Sequence, residues 1–240
     1  MIPKVIHKVL IVDGFNTPEL PDGIKDAIST WRDMNPSYTL KIYNGNDCRE
    51  YIIKHFGEEM VKYFDKLKPY SYKSDLFRFL VLYNEGGWYS DLRQICKCSL
   101  DELDATGHEF YTSIDAPPNQ MCMYTAFIGS IKAHPILKKT IEIVKWNIDH
   151  EHYGLDCLYP TGPGAYMYGS IDYVRNNPTK CMIAKHVIDR DGSEYVVVDK
   201  YVILKCKYSN ARGADNSDLK GTNDYGKMWR ENDIYKDVTL

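Results

Sequence analysis

The run SYKSDLFRFLVLYNEGGWYSDL, residues 71–92, constrains this chain more than any other segment. Its first part sets Leu76, Phe79, Leu80 and Tyr83 at helical spacing, an apolar stripe that needs a partner surface. Pro69 marks the helix entry, and Gly86 is placed to end it in the left-handed region, where a residue with a Cβ is strained. The chain then turns sharply into WYSDL, a short strand. A helix running straight into a strand is a unit of α/β folds. On such a strand Asp91 and Arg93 would share a face, because side chains two apart point the same way.

The remaining patterns extend this unit. KVIHKVLIV, residues 4–12, reads as a buried first strand closed by Asp13 and Gly14. PDGIKDAISTWRDMNP reads as a helix entered through Pro21 and Asp22 and stopped before Pro36. Residues 38–44 form a second strand, and Asn46 with Asp47 can cap the next helix, which carries Tyr51, Ile52, His55 and Phe56. EFYTSI and MCMYTAFIG read as strands, and His134-Pro135 opens a helix to about residue 150. The loop YPTGPGAY leads into a helix whose stripe is Tyr168, Ile171 and Val174. KHVIDRDGSEYVVVDKYVIL is a β-hairpin pattern with Asp191 and Gly192 in its turn. Strand–helix alternation followed by hairpins predicts an α/β sandwich with a mixed sheet, one domain over residues 1–240 with a polar tail from about 207.

Composition narrows the function classes. The chain of 240 residues can bury one core without needing two domains. A net charge of -3 argues against general nucleic-acid binding, though it leaves room for one basic groove holding a phosphorylated ligand. The apolar run in MIPKVIHKVLIVDG is too short for a signal peptide, and no later stretch reaches membrane-spanning length, so a cytoplasmic protein is expected. Lys62, Lys66 and Lys68 leave a peripheral membrane contact open. Of seven cysteines only Cys96 and Cys98 are close, and the scatter of the others disfavours structural zinc. Twenty tyrosines could line a polar, sugar-compatible cleft.

Asp75 and Arg78 lie three apart and share one helix face, which taken alone describes an ordinary ion pair. Their company gives them weight, since a strand end beside a tight turn is where open α/β sheets bind ligands. His134 reads as a helix cap, and His150 with His152 as a solvated helix end. Thr161-Gly162-Pro163-Gly164 lacks the Lys-Ser/Thr of a phosphate loop, and no G-x-S-x-G marks a serine hydrolase.

In order along the chain, IPKVIHKVL, TWRDMNPSYTLKIYN, SDLFRFLVLYNEGGWYSDL, FIGSIKAHPIL, YPTGPGAY and DYGKMWRENDIY resemble successive segments of the glycosyltransferases with the DXD sugar-binding motif. That is glycosyltransferase family 32, with fungal initiating mannosyltransferases and capsular-polysaccharide transferases. The resemblance implies a GT-A-like fold with a mixed central sheet flanked by helices. It implies a retaining transfer of a hexose from a UDP- or GDP-sugar to a hydroxyl of a glycan or glycolipid. Asp75 and Arg78 would then contact the donor sugar or its phosphate, and Asp91 the ribose and a metal. Ile6 and His7 would border the base, Tyr89 would join the donor site, and Trp229 would close over the sugar, while Trp31 packs.

Two positions depart from the family pattern: the second aspartate of the motif is Arg93, and the tail histidine is Asp224. Three readings stay open. Arg93 replaces the metal, because a guanidinium forks onto diphosphate oxygens and is always charged. Asp91 and Asp224 hold Mg²⁺ or Mn²⁺ with Arg93 turned aside. Or catalysis is lost, leaving a module that binds sugar nucleotide or glycan. A metal-dependent phosphoesterase built on Asp75, Asp91 and Asp224 is a remote fourth.

Overall fold

The computed structural model describes residues 1–116, 122–207, 219 and 221–237. The first half of the chain gives β1 (Val5–Val9), α1 (Asp22–Met34), β2 (Thr39–Tyr43), α2 (Gly45–Lys66), α3 (Tyr70–Glu85), β3 (Gly87–Ser90), β4 (Ile95–Cys96) and α4 (Leu100–Asp104). The second half gives β5 (Phe110–Ser113), β6 (Phe127–Ser130), α5 (Pro135–Asp149), α6 (Pro163–Asn176), β7 (Cys181–Ile188), β8 (Glu194–Val198), β9 (Tyr201–Lys205) and α7 (Tyr225–Arg230).

The strands form one mixed sheet in the order β2-β1-β3-β6-β5-β7-β8-β9-β4. β1 pairs in parallel with β2 on one side and β3 on the other. The chain therefore reverses its direction of travel across the sheet between β1 and β3, which leaves a crevice at their carboxyl ends. β6 runs antiparallel to both β3 and β5, and β7, β8 and β9 form a meander that β4 completes. One core packs α3 and α5 against a sheet face through Phe77, Phe79, Leu80, Ile128, Phe110 and Val144. A second gathers Trp31, Trp88, Phe127, Tyr111 and Leu204 on the other face. The mixed α/β sandwich expected from the pattern is therefore the one found. Among the described residues, no helix is long and apolar enough to cross a membrane.

Several local expectations are corrected. β1 ends at Val9, and Leu10 to Val12 leave the ladder as a loop. The cap of α2 is Asn44, not Asn46 with Asp47: its side chain accepts from the Asp47 amide while Asp47 Oδ2 accepts from the Asn44 amide, a reciprocal box that starts the helix earlier. His134 does cap α5, its Nδ1 accepting from the Ile136 amide. In α6 the inward face is Gly164, Ala165, Tyr166, Gly169 and Ser170, whereas Tyr168 and Ile171 are exposed, because small residues let α6 lie close on α5. β6 begins at Phe127, and before it only an isolated bridge joins Met123 to Ile114; Met121, the start of the expected strand, lies outside the described residues. β4 and α4 had no periodic signal at their short lengths.

The Gly-Gly junction is tighter than a standard helix stop. Gly86 has φ 71° and ψ -162°, a mirror-extended conformation open in practice to glycine alone, and Gly87 has φ 101°. A Cβ on Gly87 would stand 2.5 Å from Val5 Cγ1 and 2.7 Å from Val5 O, and one on Gly86 2.9 Å from Ser130 O. The glycines thus seat β3 between β1 and β6 and do not serve close approach of a ligand. Gly87→Ala should cost more than the 1–3 kcal/mol typical of backbone strain. A fall in melting temperature above about 5 °C is expected. Gly57→Ala, at φ 83° with open space around it, should shift it less when the two are compared by calorimetry.

Candidate active site

The crevice at the ends of β1 and β3 opens into a cleft of about 410 Å³. Val9, Leu10 and Ile11 form one wall, the first turns of α3 another, and the segment after β3 brings Asp91 and Arg93. Tyr124 to Ala126, ahead of β6, and Leu158 with Pro163, ahead of and inside α6, enclose the far side. The described part of the tail covers the rim through Leu219, Thr222, Asn223 and Tyr225. It is tied down where Asp13 N donates to Gly221 O, and where Tyr70 N donates to Asn223 Oδ1, at 2.7 and 2.9 Å.

Arg78 organises the floor. Its side chain is 6 % exposed, so the charge must be met inside the protein. One terminal nitrogen lies 3.0 Å from Asp75 Oδ1, and the other donates to Thr125 O at 2.8 Å and to Asp91 Oδ1 at 3.3 Å. The guanidinium carbon sits 4.5 Å from the centre of the Tyr89 ring, a cation–π arrangement. Tyr89 Oη donates to the same Asp91 oxygen at 2.8 Å. Asp91 is thereby oriented, yet its side chain stays 45 % exposed to the cleft. Asp75 accepts in addition from Thr161 Oγ1 at 2.9 Å. Burial pushes the Asp75 carboxyl up to about 6, against Arg78 and the Thr161 hydroxyl, which both pull it down.

Of the residues expected from the sequence, Asp75, Arg78, Tyr89, Asp91 and Arg93 come together around this cleft. Their setting differs from expectation: β3 ends at Ser90, and the Gln94 amide donates to Asp91 O at 3.3 Å, so Asp91 and Arg93 occupy a turn, not one face of a strand.

The others stand elsewhere. Ile6 is buried in the second core. His7 is fully buried, with Nε2 against Gly86 O at 3.1 Å and Nδ1 against Tyr43 Oη at 3.2 Å. Burial pushes its pKa down to about 4, so it is a neutral imidazole that supports the glycine junction. Asp224 is exposed and caps α7, accepting from the Lys227 amide at 2.9 Å, while its neighbours Asn223 and Tyr225 line the cleft. Trp229 donates from Nε1 to Tyr153 O at 2.8 Å and packs against the first core, outside the cleft lining. Trp31 packs, fully buried.

Sequence reading missed Tyr124, Asp115 and Lys8. The first two reach the cleft from loops with no local periodicity, and Lys8 reads simply as part of a strand. Asp115 lines the cleft after β5 with its carboxyl pushed up to about 6 by burial.

Comparison with known proteins bears on the fold and on the segment that carries the motif. Residues 21–109 match the family model for the glycosyltransferase sugar-binding region containing the DXD motif. An uncharacterized glycosyltransferase of Acanthamoeba polyphaga mimivirus is 24% identical over 179 residues, 75% of this chain and 68% of that one. Inositol phosphoceramide mannosyltransferase 2 of Schizosaccharomyces pombe is 26% identical over 197 residues, 80% of this chain but 53% of the yeast protein, so this chain spans about half of that relative. Among solved structures, the PaToxG glycosyltransferase superposes with a TM-score of 0.52 at 18% identity, covering 73% of this chain and 70% of that one. The class is glycosyltransferase, on a GT-A-like fold. Within it, the resemblance to the proteins with a DXD sugar-binding region is borne out.

Two outcomes follow for the buried pair. Arg78→Met strands Asp75 in the interior and should cost about 3–5 kcal/mol, whereas Asp75→Asn with Arg78→Met should cost less than the two single variants summed, by denaturant titration. Because folding raises the Asp75 pKa from 3.8 to about 6, the stability this group adds is full below the lower value and lost as pH rises through the upper one. Wild type should therefore lose stability relative to Asp75→Asn between pH 4 and 6.

Proposed function

We propose that the chain moves a hexose from a nucleoside-diphosphate sugar, UDP- or GDP-linked, to a hydroxyl of a glycan or glycolipid, with retention at the anomeric carbon. The observation that carries this reading is the convergence of Asp75, Arg78, Asp91 and Arg93 at the carboxyl ends of β1 and β3. In the reaction the bond from the anomeric carbon to the diphosphate oxygen breaks and a bond to the acceptor oxygen forms. The acceptor proton passes to the departing phosphate, and the sugar traverses an oxocarbenium-like state. The charge left on the diphosphate must be neutralised, and Arg93 at the turn is the group assigned to it, as a fork for two phosphate oxygens. Arg78, already committed to Asp75 and Asp91, fixes the frame. Ser71 Oγ, buried on the α3 wall with no protein hydrogen-bond partner, offers a donor to the ligand.

A divalent ion is the other way to carry that charge. Mg²⁺ is held by one or two carboxylates with phosphate and water oxygens, and Asp91 supplies one such carboxylate. Asp224, the second carboxylate first assigned, is turned to the α7 amides, and among the described residues no group of three or more His, Cys, Asp or Glu side chains is disposed to hold a metal. Of the two carboxylates first assigned, Asp91 faces the cleft and Asp224 caps α7, and no step is routed through a metal. The same displacement of Asp224 disfavours the phosphoesterase triad. A binding module without turnover remains the second reading, favoured by one observation only, the arginine at the motif.

Thermal shift with UDP, GDP and their sugar conjugates tests the donor class, with mannosyl conjugates first because the yeast relatives are named as mannosyltransferases. A ligand at a hundred times its Kd should stabilise by about 2.7 kcal/mol; no shift with any of them defeats the proposal. Transfer that persists in EDTA supports Arg93 as the charge-bearing group, and transfer that requires Mn²⁺ supports the metal. Arg93→Asp should abolish metal-independent transfer; a gain of Mn²⁺-dependent transfer in that variant would mean that the arginine marks a loss of function.

A further inference from the structure

Behind the turn that carries Asp91 and Arg93 lies a cation that the donor chemistry above does not use. Lys8, on β1, is fully buried. Its Nζ donates to Ser90 Oγ at 2.9 Å and to Asp91 O at 3.1 Å. It also lies 4.5 Å from the centre of the Trp31 ring. The same indole donates from Nε1 to Gln94 O at 2.7 Å, at the far end of the turn. Ser90 Oγ donates to Gln94 Oε1 at 2.8 Å, and Gln94 Nε2 donates to Tyr124 Oη at 2.9 Å, on the cleft wall. Both ends of the Asp91–Gln94 turn are therefore gripped from within the protein by one ammonium, one indole and one amide.

A buried ammonium is costly, and a strand interior would hold leucine or valine more cheaply. Burial pushes the Lys8 pKa down to about 7, with the nearby Asp91 carboxylate and the Cys96 thiol acting in the opposite direction. A group kept at such a cost and aimed at the Ser90 hydroxyl and the Asp91 carbonyl, where β3 passes into the turn, has a task at that turn. We propose that Lys8 is a positioning residue: it holds the Asp91 backbone from behind, so that the Asp91 carboxylate and the Arg93 guanidinium are presented to the donor diphosphate. The last clause rests on the donor reading given above; the hold on the turn does not.

Lys8→Met, Lys8→Arg and Ser90→Ala, each in the full chain, separate the two. Amide hydrogen exchange over residues 88–96 reads the turn directly. Lys8→Met should exchange there at least tenfold faster than wild type, Lys8→Arg should restore part of the protection, and protection elsewhere in the sheet should hold. Nucleotide affinity, measured calorimetrically with UDP and with GDP, should fall about tenfold in Lys8→Met and recover in part in Lys8→Arg. If Lys8→Met fails to fold, Ser90→Ala, which removes one acceptor of the ammonium, should show the same local change at smaller amplitude. Unchanged exchange over 88–96 in a folded Lys8→Met, or in Ser90→Ala where the former does not fold, overturns the inference. So does wild-type nucleotide affinity in a folded Lys8→Met. Wild-type protein that binds neither nucleotide sinks the donor reading alone, and the exchange measurement still decides the role of Lys8.

Discussion

The structure turns on one buried guanidinium. Arg78 cannot shed its proton, so wherever the fold places it, carboxylates and carbonyls must follow. They come from three directions: Asp75 on its own helix, Asp91 beyond β3, and the Thr125 carbonyl ahead of β6. Thr161 is drawn in at second hand through Asp75. A helix, a central strand end and two loops distant in sequence are thus registered against a single side chain. Replacing such a set with apolar residues can be neutral for stability, so its presence on the cleft floor is better explained by the need for a fixed geometry there.

That geometry has a distinct division of labour. Arg78 is consumed by the protein, with its positive charge matched by two carboxylates before any ligand arrives. Arg93 and Asp91 stand in a turn at the cleft, opposite in charge and two residues apart. The DXD pattern sets two acids at this spacing. Here an acid and a guanidinium occupy positions 91 and 93, so the chain itself carries a positive charge at this turn. A side-chain cation is present at any metal concentration, but its reach is limited by the turn that carries it. On the reading proposed above, the accuracy of that turn sets where the charge can act.

The sequence disclosed the large elements because their signals are local. The Leu76-Phe79-Leu80-Tyr83 stripe is a period, and the Gly86-Gly87 stop is a steric requirement; both survive without knowledge of the partner. Part of the site was legible for the same reason, since Asp75, Arg78, Tyr89, Asp91 and Arg93 lie in one continuous segment that folds as a unit. What escaped depends on encounters between remote segments. His7 is held by Gly86 and Tyr43, and only the sheet order reveals that this places the imidazole in the interior, outside the cleft lining. Asp224 and Trp229 sit on a short helix whose orientation is set by docking onto Tyr153 and the first core, which no periodicity encodes. The α6 stripe misled because Tyr168 and Ile171 have helical spacing, yet the adjacent glycine and serine face is the one that fits α5.

The way the cleft is stitched together bears on how the chain reaches its folded state. Its walls draw on Val9 near one end and Tyr225 near the other, with the Asp13–Gly221 and Tyr70–Asn223 hydrogen bonds closing long loops. Contacts of such separation are slow to form, because the entropy of loop closure must be met before they return any stabilisation. The β1–β3 core and α3 can assemble from the first half of the sequence, but the roof of the cleft cannot. A ligand that needs that roof therefore binds only molecules that have completed their fold, and its occupancy reports on the whole chain instead of on the segment that carries the motif.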